Sequence, residues 1–340
     1  MTLPQDGLHI CRRHRTFGLE TACRIPHSIP MGHASVPYSI VDVFTDTQFA
    51  GNPVAVIHDA RGLTAGDMQA IAREFGFSET TFILPPRGGA HTAHLRIFTP
   101  LAEIPFAGHP TIGTAFVIGR ESTAARSGTY DVMTFDEAGG DVAVTLIRSG
   151  AEVVGASIVA PQGLEVLGGV PVDRVAACLG LSPSAVSVDH VAPCVASVGL
   201  PFAFVELTDV DALGIVAPDF AAFRAAAAAG PATVDGFAIC AFVVLGRDGE
   251  RFRLRSRVLS PLGHPPEDPA TGSASGALAA LLSAERPSAS RYRITQGVEM
   301  ARPSEIEVEV SRNPEKIAIA GSCVQVSTGI LRLSGARRGI

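Results

Sequence analysis

The feature that most constrains the fold is an internal repeat that relates the two halves of the chain. Residues 98–115 read FTPLAEIPFAGHPTIGTA, and residues 259–274 read LSPLGHPPEDPATGSA. Each copy has a Thr/Ser-Pro-Leu step, a turn, an ionisable residue before proline, and a Gly-Thr/Ser-Ala start to an apolar helical run. A shift of 159 positions places His109 on Asp268. Similarity at about half of the 340-residue length predicts two duplicated domains that face each other, rather than a short-period solenoid.

Strand patterns dominate both halves, and each half has one longer helix, which predicts the α+β class. We expect an N-terminal domain over residues 36–155 and a C-terminal domain over residues 156–324. Residues 325–340 are the segment that would complete the first domain. Residues 1–35 mix Arg, His, Pro and Gly without strand or helix periodicity, so we interpret them as a disordered extension.

Composition argues against several classes of protein. The net charge is −6, and no basic cluster exceeds Arg12-Arg13-His14-Arg15, so nucleic-acid binding is not expected. The six cysteines form no CxxC pair, which is typical of a reducing cytoplasm. The sequence shows neither the run of about 20 apolar residues that spans a bilayer nor a signal-peptide pattern. We therefore expect a soluble, cytoplasmic protein.

Several metal and cofactor chemistries lack their sequence motifs. Lys316 is the only lysine, and it lies in the strand-like stretch 306–319, which disfavours a Schiff-base mechanism. The sequence has no HExxH helix and no DxDxDG loop for a metal ion. It also has no G-x-S-x-G elbow of a hydrolase and no G-x-G-x-x-G turn of a dinucleotide site. We therefore expect chemistry without a metal or a cofactor.

Three short segments place an ionisable side chain among small, turn-forming residues. They are Ser78-Glu79-Thr80, Gly108-His109-Pro110 and the stretch EDPATGS at 267–273. The last two lead directly into apolar helical runs, the first of which predicts a helix over residues 111–119. Because the first N–H groups of a helix have no internal acceptor, a helix start favours bound anions and developing negative charge. The combination indicates proton transfer on a small anionic substrate.

Each candidate also has an interpretation without catalysis. Glu79 precedes an apolar strand, where it could belong to a surface turn; catalysis requires burial, expected against Phe77 and Phe82, that raises its pKa toward neutrality. His109 at a helix start suits either a neutral imidazole that donates one hydrogen bond or a simple packing residue. Asp268 suits either a role in the site or a plain N-terminal cap.

The residues after Asp268 suggest how a substrate carboxylate is held. The backbone N–H groups of Gly272 and Ser273 lie at the start of the second apolar helix, where they are available to bind an anion. Gln296-Gly297 follows the strand-like stretch 292–295 and brings an amide side chain toward the same region.

The order and spacing of eight segments carry a family resemblance. They are VDVFT at 41–45, GNPVAV at 51–56, SET at 78–80, FTP at 98–100, Glu103, FAGHPT at 106–111, EDPATGSA at 267–274 and QG at 296–297. In these segments the chain resembles the phenazine-biosynthesis isomerase family (PhzF-like), which has the diaminopimelate-epimerase fold. The resemblance runs from about Val41 to Leu331. One departure is Leu259-Ser260, where the family often has an aromatic residue followed by a small one.

The resemblance implies two similar, pseudo-symmetric domains, each a sheet wrapped around a central helix, with the active site in the cleft between them. It also implies a homodimer that uses no cofactor. By the family pattern Glu79 is the catalytic acid/base, and His109, Asp268 and Ser273 complete the site. The candidate substrate-binding residues are Ser78, Gly108, Gly272, Ser273, Gln296 and Gly297, and no metal ligands are expected.

Related epimerases use a pair of cysteines at these glycine-flanked helix starts, whereas none of the six cysteines here lies nearby in sequence. Cysteine-pair racemisation is therefore disfavoured. We expect an isomerase that moves a proton between carbons of a small cyclic or unsaturated carboxylate, with trans-2,3-dihydro-3-hydroxyanthranilate, the type substrate of the family, as the best candidate. Two alternatives stay open: an epimerase, tautomerase or hydrolase of another metabolite, and a small-molecule-binding protein without catalysis.

Overall fold

A computed structural model describes residues 33–125, 130–231, 233–284, 290–312 and 315–334. Contacts group Ser35–Leu331 into one compact unit. The predicted extension over residues 1–35 lies outside the described residues, except that 33–35 belong to the first strand.

The described residues form seventeen strands and six α-helices. The strands are β1 (His33–Val43), β2 (Asn52–Ile57), β3 (Glu79–Leu84), β4 (Ala93–Phe98), β5 (Glu103–Ile104), β6 (Val132–Glu137), β7 (Gly140–Ser149), β8 (Glu152–Val159), β9 (Glu165–Gly169), β10 (Cys194–Ser197), β11 (Pro201–Glu206), β12 (Ile239–Asp248), β13 (Arg251–Leu259), β14 (Glu267–Asp268), β15 (Ser290–Gln296), β16 (Ser304–Arg312) and β17 (Glu315–Ser334). The helices are α1 (Ala65–Phe75), α2 (Gly108–Ala125), α3 (Val172–Leu179), α4 (Val210–Gly214), α5 (Phe220–Ala229) and α6 (Gly272–Ser283), and a 3-10 helix spans Pro183–Ala185.

One series of strand pairings closes on itself. Strand β2 pairs antiparallel with β1 and parallel with β3, and the series continues through β4, β6, β7 and β8 to β17. Strand β17 also pairs with β1, which completes the circuit. Helix α2 packs on four of these strands, β2, β3, β7 and β8.

A second series starts from the same long strand, β17. It runs through β16, β15, β13, β12, β11 and β10 to β9, and the β15–β13 and β12–β11 pairs are parallel. Helix α6 packs on β10, β11, β15 and β16. The result is a mixed sheet with helices packed on it, as the strand-rich sequence predicts. The division into domains near residue 155 stays a prediction.

Both copies of the sequence repeat form the same succession of elements. Strand β4 is followed by the short antiparallel β5, by α2, and then by β6, which is parallel to β4. Strand β13 is followed by the short antiparallel β14, by α6, and then by β15, which is parallel to β13. Parallel neighbours require a crossover connection, and the helix supplies it in both copies. Each helix therefore begins shortly after a two-residue strand that turns back along its parent strand.

The two copies differ in where the helix begins. Helix α2 starts at Gly108, so His109 is its second residue, whereas the sequence pattern predicts a start at residue 111. Asp268 ends β14, and the N-cap of α6 is Thr271. The interpretation of Asp268 as the cap residue is therefore wrong, although its carboxylate accepts a hydrogen bond from the Thr271 hydroxyl.

Close packing fixes both central helices against their strands. A Cβ atom added at Gly113 in α2 would lie 2.6 Å from Val54 Cγ1, and one added at Gly276 in α6 would lie 2.9 Å from Ile319 Cδ1. Both glycines allow helix and strand to approach more closely than an alanine would permit. One buried core cluster contains side chains of both helices. None of the described helices is long and apolar enough to cross a bilayer.

Candidate active site

A cavity of about 330 Å³ is lined by residues from both halves of the chain. Seven of the nine predicted site residues line it: Ser78, Glu79, Gly108, His109, Asp268, Gly272 and Ser273. Apolar side chains supply most of the remaining wall, among them Leu101, Ile104, Phe106, Leu200, Phe202 and Val258. Neither lysine nor arginine is found among the described lining residues. The cavity therefore offers carboxyl, imidazole, hydroxyl and backbone N–H groups inside a mostly apolar enclosure.

Glu79 and His109 face each other in this cavity. Glu79 is the first residue of β3, directly after the turn in which Gly76 ends α1 with a φ of 66°. Its Oε2 atom lies 3.5 Å from His109 Nε2, and the two side chains are 17% and 6% exposed. Both atoms are buried without a hydrogen-bond partner among the described residues. Buried polar groups normally have partners, so this unpaired pair is available to a ligand.

Burial favours the neutral form of both members of the pair. Burial, then the charges of Asp268 and Asp235, raises the pKa of Glu79 well above its ordinary value. Burial lowers the pKa of His109 to about 3. The Pro53 carbonyl accepts a hydrogen bond from the His109 ring, and Nε2 has no partner, so the ring proton belongs on Nδ1. The Nε2 lone pair then faces a protonated Glu79.

Asn52, the first residue of β2, lies close to two of the three catalytic candidates, Asp268 and His109, although the sequence pattern did not single it out. Its Nδ2 atom donates to Asp268 Oδ1 at 2.8 Å and to Ala270 O at 2.9 Å, and lies 3.5 Å from His109 Nδ1. Its Oδ1 atom accepts from the Ser78 hydroxyl at 3.3 Å. Asn52 is fully buried. The Gly51-Asn52-Pro53 turn was the only sequence signal for this residue.

The carboxylate of Asp268 accepts hydrogen bonds from neighbouring side chains. The Thr271 hydroxyl donates to its Oδ2 at 2.5 Å, and Ser78 Oγ lies 3.4 Å from its Oδ1. Burial raises the pKa of Asp268 to about 6, against the hydrogen bonds from Thr271, Asn52 and Ser78, which lower it. Asp268 therefore changes protonation state close to neutral pH.

Gln296 and Gly297 lie behind the cavity and do not line it. Gln296 is fully buried; its Nε2 donates to Asp268 O at 2.7 Å, and its Oε1 accepts from Thr271 N at 3.1 Å. Gly297 has a φ of 76°, and a Cβ there would lie 2.6 Å from Pro269 O. These two residues therefore support the turn that carries Asp268. Their direct contact with a substrate stays a prediction.

Comparison of the chain with known proteins identifies its family. A sequence model of the family described as phenazine biosynthesis-like protein matches residues 41–329. The chain belongs to this family. A similar relative, the trans-2,3-dihydro-3-hydroxyanthranilate isomerase of Pseudomonas fluorescens, is 35% identical over 303 residues, which cover 87% of this chain and 99% of the relative. As a member of the phenazine biosynthesis-like family, the chain is an isomerase.

Two solved structures extend the comparison to the fold. A predicted epimerase from Pseudomonas aeruginosa has a TM-score of 0.71 at 29% identity and covers 87% of this chain and 99% of its own. A phenazine biosynthesis protein from Bacillus anthracis has a TM-score of 0.75 at 22% identity and covers 88% of this chain and 99% of its own. The second likeness concerns the fold alone. Both support the PhzF-like fold predicted from sequence.

In this family member, the cavity is also lined by polar residues that were not among the predicted site residues. Asp235, Ser260 and His264 line it together with Pro265. Burial raises the pKa of Asp235, while the Ser260 hydroxyl lowers it. Gly263 packs so closely on Asp235 that an added Cβ would lie 2.5 Å from the Cβ of Asp235. The one available signal was the tripeptide Gly-His-Pro at 263–265, which repeats the tripeptide around His109.

Proposed function

We propose that the chain catalyses a cofactor-free isomerisation, in which a proton moves between two carbon atoms of a small cyclic or unsaturated carboxylate. The observation that carries this proposal is the unpaired Glu79–His109 contact in the cavity. A carboxyl group whose pKa is raised by burial can give and take a proton near neutral pH, which is the requirement for general acid/base catalysis.

The two helix starts are the proposed anchors of the substrate. The first N–H groups of α2 and α6 have no intrahelical acceptor, and Gly108, Gly272 and Ser273 line the cavity. A carboxylate bound there is stabilised by the helix dipoles and the N–H groups. The apolar walls suit a small ring, and about 330 Å³ lies at the small end of ligand-sized cavities.

Glu79 performs both proton transfers in this proposal. In the empty site its carboxyl is protonated, so the cycle begins with donation of that proton to one carbon of the substrate. The resulting carboxylate then removes a proton from another carbon on the same face, and the double bond shifts between the two. Glu79 ends the cycle protonated, so the reaction consumes no proton. The α6 N–H groups stabilise negative charge on the substrate carboxylate throughout.

His109 and Asp268 orient the reaction. The Nε2 lone pair of His109 accepts a hydrogen bond from Glu79 or from a substrate hydroxyl, and the low pKa of His109 prevents it from competing for the proton. Asp268 accepts a hydrogen bond from a polar substituent of the ring. Asn52 holds Asp268 in place through the hydrogen bond from its Nδ2 atom to Asp268 Oδ1.

The leading substrate candidate is trans-2,3-dihydro-3-hydroxyanthranilate, because the similar relative from Pseudomonas fluorescens is named as an isomerase of this compound. It is a small cyclic carboxylate with a polar substituent, as the cavity requires. A second candidate function, epimerisation of another small carboxylate, is favoured by Asp268, because a second titratable carboxyl in the cavity provides a second base.

We also propose that the cavity is a cleft between two pseudo-symmetric, diaminopimelate-epimerase-like domains and that the protein is a cytoplasmic homodimer. The lining residues support the cleft, because they come from the stretches 78–109 and 200–273. The homodimer and the cytoplasmic location rest on the family resemblance and the composition.

The proposed function is tested by incubation with trans-2,3-dihydro-3-hydroxyanthranilate in deuterated water, with proton NMR of the product. An isomerase yields a product with a shifted double bond and deuterium at the carbon that receives the proton. Recovery of the same double-bond pattern with an inverted stereocentre would establish the epimerase instead. If the compound binds but is recovered unchanged, catalysis on this compound is refuted and the protein only binds it.

A further inference from the structure

A second buried glutamate lies behind the wall of the cavity, outside the site described above. Glu137 is the last residue of β6 and is 3% exposed. Its Oε1 atom lies 2.7 Å from Thr111 Oγ1 in the first turns of α2. Its Oε2 atom is buried without a hydrogen-bond partner among the described residues. An ionised carboxylate is costly in such a place, because one oxygen has no donor at all.

The hydrogen bonds around Thr111 indicate where the proton lies. Thr111 Oγ1 also lies 2.8 Å from Ala107 O, which is a carbonyl and can only accept. A hydroxyl has one proton, so Thr111 can donate to Ala107 or to Glu137, and not to both. If Thr111 donates to Ala107, the short contact with Glu137 requires a proton on the glutamate. Glu137 then donates to Thr111, and Thr111 donates to Ala107.

The rest of α2 indicates that Thr111 does donate to Ala107. Each of the other hydroxyl side chains described in this helix donates to the carbonyl four residues earlier: Thr114 to Pro110, Ser122 to Ile118 and Thr123 to Gly119, all at 2.8 Å. Thr114 is a matched case, because its second partner, 2.8 Å away, is the hydroxyl of Thr81, which can donate to it. Glu137 takes the place of that second hydroxyl beside Thr111, so it must supply a proton as Thr81 does.

The series of hydrogen bonds that starts at Glu137 ends on the segment that carries His109. Gly139, two residues after Glu137, donates its N–H to Pro105 O at 2.8 Å. The turn between β6 and β7 thus holds the segment at Pro105 and again at Ala107. All five residues from Pro105 to His109 line the cavity.

Charged groups near Glu137 on the packed elements are engaged elsewhere. On its own strand, Asp136 pairs with His94 of β4, and on β7 Asp141 pairs with His91. On α2, His109 is neutral because burial lowers its pKa to about 3. Burial raises the pKa of Glu137 itself to about 8, against the contact with Thr111, which lowers it.

We propose that Glu137 is a positioning residue that works in its protonated form, donating through Thr111 to the Ala107 carbonyl and thereby fixing the cavity wall that carries His109. Its importance for turnover rests on the proposed function, whereas its protonation and its effect on His109 do not. Ionisation would pull the Thr111 proton toward Glu137 and release Ala107 O from the hydroxyl.

The protonation is tested without substrate by infrared difference spectroscopy of the wild type against Glu137→Gln. The amide keeps an N–H donor for Thr111 and removes the carboxyl group. At pH 7 the wild type has the carbonyl band of a protonated carboxylic acid that the variant lacks, and at pH 10 this difference disappears. A difference at pH 7 that contains only carboxylate bands would overturn the proposal. If the variant does not fold, the protonation of Glu137 is tested by a ¹³C-carboxyl NMR titration of the wild type. The Glu79 resonance is first assigned as the one that is missing from Glu79→Gln. If none of the other glutamates titrates near pH 8, the proposal is overturned.

The positioning role is tested with Thr111→Val, which has nearly the same shape without the hydroxyl, and with Thr111→Ser as the matched control that keeps it. The imidazole ¹⁵N resonances of His109 report its tautomer and surroundings directly. We expect them to shift in Thr111→Val and to stay near the wild-type values in Thr111→Ser and Glu137→Gln. If a substrate is converted, kcat falls on the order of tenfold in Thr111→Val with little change in KM. Unchanged His109 resonances in a folded Thr111→Val protein would refute the positioning role, whatever the substrate proves to be.

Discussion

The Oε2 atom of Glu79 and the Nε2 atom of His109 lie 3.5 Å apart, buried, and without any other hydrogen-bond partner among the described residues. The burial that raises the pKa of the carboxyl also lowers that of the imidazole, so it favours the neutral form of both groups. A proton can then leave and return to Glu79 while His109 only orients it.

Substitution of Asn52 by Asp should disturb Asp268 more than substitution by Ala does. The new carboxyl would stand where Asn52 Nδ2 donates to Asp268 Oδ1 at 2.8 Å, so a donor is replaced by a like charge. We expect the pKa of Asp268 to rise above its value of about 6 and the protein to lose about 1–3 kcal/mol of stability. Carboxyl NMR titration and thermal unfolding measure both effects. An Asp268 pKa that is the same in Asn52→Asp and Asn52→Ala would contradict the role assigned to Asn52.

Gly113 should not tolerate alanine, although alanine normally favours a helix. The added Cβ would lie 2.6 Å from Val54 Cγ1, so we expect Gly113→Ala to cost about 1–3 kcal/mol by overpacking. Gly66→Ala in α1 is the matched control, because its nearest neighbour is 3.7 Å away, and it should be neutral or stabilising by up to about 1 kcal/mol. Addition of Val54→Ala to Gly113→Ala should recover part of the loss. Additive losses in the double variant would refute the proposed clash.

Glu137 should make stability depend on pH. Its folded pKa of about 8 lies above the ordinary value of 4.5, so the folded state holds the proton more tightly than the unfolded chain does. Its contribution is fully present below pH 4.5 and is lost as pH rises to about 8, by at most about 1.4 kcal/mol per pH unit. The Glu137→Gln variant should lack this loss in urea unfolding between these pH values, whereas Glu152→Gln, at an exposed residue of β8, should retain it. Parallel pH profiles for the wild type and Glu137→Gln would contradict the buried, protonated state.

Local chemistry was predictable from the sequence where all the interacting residues are close together along the chain. The sequence Thr64-Ala-Gly-Asp67 has the pattern of a capping box, and the box forms at the start of α1. The Ala-rich run after Asp219 likewise indicates a helix and forms α5 (Phe220–Ala229). The repeat at 98–115 and 259–274 correctly indicated matched strand–helix units, because its prolines and glycines fix turns locally. The start of α2 was placed at residue 111, because Pro110 and the glycine before His109 suggested a turn rather than a helix.

Long-range relationships were not predictable in this way. Asn52 donates a hydrogen bond to Asp268, which lies 216 residues later in the sequence. No local sequence pattern distinguishes such an asparagine from one in an ordinary turn. The burial of Glu79 was predicted against Phe77 and Phe82, but neither lines the cavity, and Phe82 lies on the opposite face of β3 because side chains alternate along a strand. The pKa of Glu79 is instead raised by general burial and by Asp268 and Asp235, which are distant in sequence.

The most direct test of the account is turnover and ligand affinity of Glu79→Gln on a confirmed substrate, beside the Glu152→Gln control. The amide is nearly isosteric but cannot give and take the proton, so kcat should fall by roughly 10²–10⁴-fold. Affinity should persist, because the proposed carboxylate anchors are the starts of α2 and α6. The control should match the wild type in both measurements. A Glu79→Gln protein that keeps near-normal turnover would contradict the account and make Asp268 the leading candidate for the base.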